Sequence, residues 1–134
     1  MQKEFYDKLV AYVNRKNWWH VPPVDPAAYQ KRGKFLASTF GEAEFWGRPL
    51  DEPQRVSIAR PLIGDEETIE KVLFEKRLSD EDMSAKKRWQ LDAKIKKAAL
   101  ARGYDSVLLM TPKAFSELKA KGKMPRSLEL NVFC

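Results

Sequence analysis

Apolar positions recur at helical spacing near the start of the chain. Phe5, Leu9, Tyr12 and Val13 fall on one side, with Lys3, Glu4, Asp7, Lys8, Arg15 and Lys16 around the other. This spacing predicts an amphipathic helix over 3–16. The aromatic and β-branched run Asn17 to Val21 halts at Pro22-Pro23, which suits a short strand. Residues 22–34 hold three prolines and then Lys31-Arg32-Gly33-Lys34, and read as loop. Phe35-Leu36-Ala37 has the character of a buried strand. Ser38 or Thr39 after it is a good N-cap, with Glu42 in the first turn. A short helix over 42–46 then ends at Gly47 and Pro49.

Arg55 to Arg60 alternates, with Val56 and Ile58 against Ser57 and Ala59, and predicts a strand stopped by Pro61. A helix follows over 65–76, with Ile69, Val72 and Leu73 on one face. Ser79-Asp80-Glu81-Asp82 resembles a capping box and predicts a helix over 79–102. Its apolar stripe is Leu91, Ile95, Ala98 and Ala99, and Gly103 is its natural stop. Residues 104–110 form the clearest strand. Pro112 opens a short helix to Lys121, closed by Gly122. In the final strand, 127–133, Leu128, Leu130 and Val132 point one way and Ser127, Glu129 and Asn131 the other. The order of elements predicts an α+β fold: a single compact domain over 1–134, with a small split or mixed β-sheet flanked by helices.

Composition narrows the setting. No run approaches the ~20 apolar residues of a membrane-crossing helix, and Met1-Gln2-Lys3-Glu4-Phe5 lacks the apolar core of a signal segment. No membrane partner is therefore expected. Cys134 is the lone cysteine, which leaves nothing to pair with in the chain and no cysteine-rich zinc site. A reducing cytoplasm is the expected compartment. The net charge of +6 is unevenly spread: residues 1–67 carry ten basic and ten acidic side chains, and residues 68–134 carry fifteen and nine. The second half is thus suited to an anionic partner.

No Gly-rich phosphate loop, metal-binding cluster or nucleophile elbow is present. Three polar positions at or near strands remain: His20, Ser38-Thr39 and Glu129. Each also has a plain structural reading. His20 sits in an aromatic cluster, Ser38-Thr39 makes a helix cap, and Glu129 pairs with Arg126 or Lys123 at a sheet edge. A second constellation is Lys86-Lys87-Arg88-Trp89 with Lys94, Lys96, Lys97 and Arg102. Basic side chains with an interleaved aromatic hold phosphates and stack a base; at helical spacing Lys87, Lys94 and Lys97 make a solvated face.

Taken together, Trp19-His20-Val21, Gly33-Lys34-Phe35-Leu36-Ala37-Ser38-Thr39, Ala43-Glu44-Phe45-Trp46-Gly47, Ala101-Arg102-Gly103-Tyr104-Asp105-Ser106-Val107 and Leu128-Glu129-Leu130-Asn131-Val132-Phe133 resemble, in order and spacing, the mono-ADP-ribosyltransferases in their small phage and bacterial forms. The resemblance covers most of the chain. It implies an NAD-dependent transferase that modifies a macromolecular acceptor, protein or nucleic acid, with Glu129 as the catalytic carboxylate. His20 would hold a ribose or a phosphate, Ser38 and Thr39 would brace the site, and Tyr29 or Phe40 would stack on nicotinamide. Arg32 and Lys34 would meet the diphosphate. Two departures stand out: Ser127 occupies the place where many members carry a Glu or Gln, and Val21-Pro22-Pro23 follows the early His. The alternative reading is a non-catalytic basic module or small inhibitor. It would grip nucleic acid or an acidic protein through residues 68–134, with Lys86, Lys87, Arg88, Lys94 and Lys97 as its contacts.

Overall fold

Helix α1 (Lys3–Arg15) buries Leu9 and Val13, as its periodicity requires. It leads into the two-residue strand β1 (Trp19–His20), helix α2 (Ala27–Arg32), strand β2 (Lys34–Ala37) and helix α3 (Phe40–Glu44). Strand β3 (Pro61–Gly64), helices α4 (Glu66–Phe74) and α5 (Ala85–Ala101), strand β4 (Ser106–Leu109), helix α6 (Pro112–Lys121) and strand β5 (Glu129–Val132) follow. This computed structural model describes residues 1–133, and Cys134 lies outside them. The fold is α+β, with six helices and one mixed five-stranded sheet among the described residues.

The strand order is β1-β2-β5-β4-β3. Only β3 and β4 run parallel; the other neighbours are antiparallel. Strand β5 is therefore central, flanked by β2 and β4. Its alternation divides the molecule, because successive side chains of a strand leave by opposite faces. Leu128 and Leu130 join Leu9, Val13, Trp18, Ile63, Leu108, Phe115 and Leu118 in one core, under α1 and α6. On the opposite face Leu62, Val107 and Phe133 pack with Ile69, Leu73 and Ala99 of α4 and α5. Glu129 and Asn131 share this second face.

Three expected elements differ. Residues 22–34 are not all loop. Asp25 accepts the N–H of Ala27 to start α2, and Lys96 of α5 donates to the carbonyls of Tyr29 and Gln30 at its far end. Tertiary contact thus stabilises a helix too short to form alone. The strand expected over 55–60 begins instead at Pro61. The amide of Asn14 grips both backbone groups of Ile58: Oδ1 accepts its N–H at 2.8 Å and Nδ2 donates to its carbonyl at 2.9 Å. Pro61 can open β3 because that strand is at the edge of the sheet. The long helix starts at Ser84, which accepts the N–H of Lys87. Ser79 is drawn away from capping by the buried carboxylate of Glu70, to which it gives both its N–H and its hydroxyl.

Candidate functional site

Register sets the site. Trp19, Ala37, Glu129, Leu109 and Gly64 lie in one row across the five strands. Where the sheet ends beside this row, a cleft of about 460 Å³ opens. Small-molecule sites occupy about 300–1,000 Å³. Glu129 reaches the cleft from β5, Glu42 and Trp46 from α3 and the turn after it, and Asp65, Glu66 and Glu67 from the start of α4. Arg77 comes from the loop after α4. Trp46 is 66% exposed. A smaller adjoining pocket shares Glu66 and Arg77 and adds Arg88.

Two carboxyls of this charge network behave oppositely. Burial pushes the half-buried Glu129 carboxyl up to about 7; the charges of Asp92 and Glu66 add to this, and Arg88 opposes it. Burial acts on Glu66 in the same sense. A hydrogen bond from Arg88 and the charges of Arg88 and Arg77 outweigh it and hold that carboxyl below its ordinary value. The Arg88–Glu66 pair measures 2.6 Å. Asp92, on α5, is raised to about 6 by burial and the charge of Glu66, against Arg88 and Arg32. Near neutral pH Glu66 is thus ionised, while Glu129 passes between its protonated and ionised forms.

Ser38 ties the last strand in place. Its Oγ accepts the N–H of Leu128 at 3.1 Å and donates to the Glu42 carboxylate at 3.0 Å. Thr39 caps α3, accepting the N–H of Glu42 and donating to its carboxylate. Ser127 donates to the other oxygen of Glu42 at 2.6 Å. Three hydroxyls therefore fix Glu42 at the cleft.

The other candidates lie elsewhere. His20 is only 3% exposed. Its Nδ1 meets the Phe35 carbonyl at 2.7 Å and must donate; its Nε2 meets the Tyr29 hydroxyl at 2.9 Å. Both ring nitrogens are occupied inside the protein, and burial keeps the imidazole below its ordinary value, against the Phe35 hydrogen bond and with the help of Lys34. Tyr29 is committed to that pair. Phe40 packs edge-on against Trp19 at 5.2 Å. Lys34 donates to Gln54, and the Arg32 guanidinium lies 4.9 Å over the Trp89 ring. Lys86, Lys87, Lys94 and Lys97 are exposed on α5, whereas Arg88 turns inward to Glu66, Lys96 is buried against the carbonyls of α2 and Arg102 donates to the Leu73 carbonyl, so these three leave the basic face.

Glu66, Asp92, Arg77 and Trp46 were not singled out from sequence as site residues. Asp92 alone carried a signal, as a carboxylate beside Leu91 and three residues before Ile95 on the apolar side of its helix. Comparison with family models, with curated proteins and with solved structures found no match.

Proposed function

We propose that this chain is an NAD-dependent mono-ADP-ribosyltransferase that modifies a macromolecular acceptor, with Glu129 as its catalytic carboxylate. The observation that carries the reading is the position of Glu129. It is a half-buried carboxyl on the central strand, opening into a ligand-sized cleft and perturbed to about 7. Strongly perturbed groups in clefts mark functional sites.

The lining suits such a donor. Glu129 as carboxylate stabilises the positive charge left at the ribose C1′ when the bond to nicotinamide breaks and its electron pair leaves with the ring. The surplus of carboxylates, Glu42, Asp65, Glu66, Glu67 and Glu129 against Arg77, favours the cationic pyridinium end. A cation beside Glu129 also pulls its pKa back toward ionisation. Arg77 and Arg88 are the cations for the diphosphate. Trp46 offers a flat apolar face at the cleft, the role expected of Tyr29 or Phe40. Glu66, held ionised, takes the proton that the acceptor's nucleophile gives up as it bonds to C1′. Glu42, bonded to Ser127, brings a second carboxylate to the side of the cleft where the sequence has only a serine.

The test is transfer of label from NAD in a cell lysate, wild type beside Glu129→Gln. Labelled macromolecule with wild type alone is the expected result. No transfer, together with no heat of NAD binding in calorimetry, overturns the reading.

A further inference from the structure

The outer side of α5 is exposed among the described residues. At about 100° per residue, Lys86, Lys87, Lys94 and Lys97 fall within a single arc, and all four are exposed. None of them joins an ion pair among the described residues. The stripe from Lys86 to Lys97 runs about 16 Å along the axis. Trp89 flanks it, 54% exposed, with Arg32 covering one side of the ring. The inward side of the same helix carries Arg88 and Asp92, whose charges reach Glu129.

We propose that this face of α5 binds single-stranded nucleic acid. Four unpaired lysines in a row follow a phosphate backbone. An exposed indole backed by a guanidinium plane offers what an unstacked base needs, and duplex bases are not free to take it. An acidic protein would use the lysines but has no requirement for Trp89. Identifying this ligand as the acceptor of the transfer rests on the function proposed above; the binding itself does not.

The experiment is fluorescence anisotropy of a labelled 20-nucleotide oligothymidylate with the full chain, without NAD, across a salt series. Four phosphate contacts on a single strand predict a log–log salt slope of about −3. Lys86→Glu with Lys87→Glu, or Lys94→Glu with Lys97→Glu, is expected to weaken binding at least about ten-fold and flatten the slope, with unchanged circular dichroism. Trp89→Ala is expected to cost about five-fold or more, and Glu129→Gln nothing. Salt-independent binding, or charge-reversed variants that bind like wild type, overturns the proposal. Equal affinity for polyglutamate together with a neutral Trp89→Ala also overturns it, in favour of an acidic protein. Oligonucleotide binding without NAD consumption removes the transferase reading and leaves this surface standing; NAD consumption without oligonucleotide binding does the reverse.

Discussion

The hydroxyl of Ser38 accepts the backbone N–H of Leu128, the residue immediately before Glu129, across 90 positions of sequence. One side chain at the end of β2 thus fixes the entry of the central strand and, through Glu42, the wall of the cleft. Ser38→Ala strands a buried N–H and frees one bond on Glu42. A loss of about 1–3 kcal/mol in stability is expected from the unpaired donor. Urea unfolding measures it. The proposed NAD turnover is expected to fall further than stability accounts for, because the Glu129 backbone loses its anchor.

The pH behaviour of Glu129 has a definite sign. Its folded pKa, about 7, lies above the ordinary 4.5. Between those values the folded chain keeps a proton that the unfolded chain has lost, so stability falls as pH rises from about 4.5 to about 7 and stays lower above it. Glu129→Gln removes the penalty. The variant is expected to be more stable than wild type by about 1–3 kcal/mol at pH 8, and equal to it near pH 4.5. The proposed transferase activity of the wild type is expected to run the other way, climbing through pH 7 as the carboxylate forms. Denaturation midpoints and NAD turnover at pH 5, 6, 7 and 8 check both halves.

Glu70 is fully buried and accepts the N–H groups of Leu78 and Ser79 at 2.7 and 2.6 Å, and the Ser79 hydroxyl. It shapes the loop between α4 and α5 that carries Arg77 into the cleft. Glu70→Ala leaves two N–H groups without a partner and is expected to cost about 2–5 kcal/mol. Hydrogen exchange is expected to show faster loss of protection at Leu78 and Ser79 than in the sheet.

Gly33 has φ of 93°, and a Cβ there would lie 2.2 Å from Asn131 Oδ1 and 3.1 Å from Phe133. Gly33→Ala is expected to destabilise by more than about 1 kcal/mol from backbone strain alone, with the clash added. Its thermal unfolding temperature should fall accordingly; an unchanged value would refute the tight approach of Gly33 to β5.

Tyr29→Phe leaves His20 Nε2 without its hydrogen-bond donor while keeping the ring. The expected effect is a stability loss of about 1–2 kcal/mol with the KM of the proposed NAD reaction unchanged, since both residues lie away from the cleft. A large rise in KM with intact stability would instead return His20 and Tyr29 to the binding site.

The alternation of β5 was legible in the sequence, and it placed Glu129 on the face opposite Leu128 and Leu130, where the structure has it. The helices α1, α4 and α6 and the strand β4 follow equally from local periodicity and caps, because 3.6- and 2-residue repeats decide which side of an element is buried. Sequence alone did not decide where competing local signals led. Ser79 looks like a cap until Glu70 claims it, and residues 55–60 look like a strand until Asn14 takes the backbone of Ile58. Nor did it bring Glu42, Glu66, Arg77 and Trp46 to Glu129, residues 52 to 87 positions distant. That juxtaposition depends on strand order and register, which long-range packing sets after local structure has formed. The same packing turns His20 inward to a carbonyl and a tyrosine, because a buried imidazole must satisfy both its nitrogens.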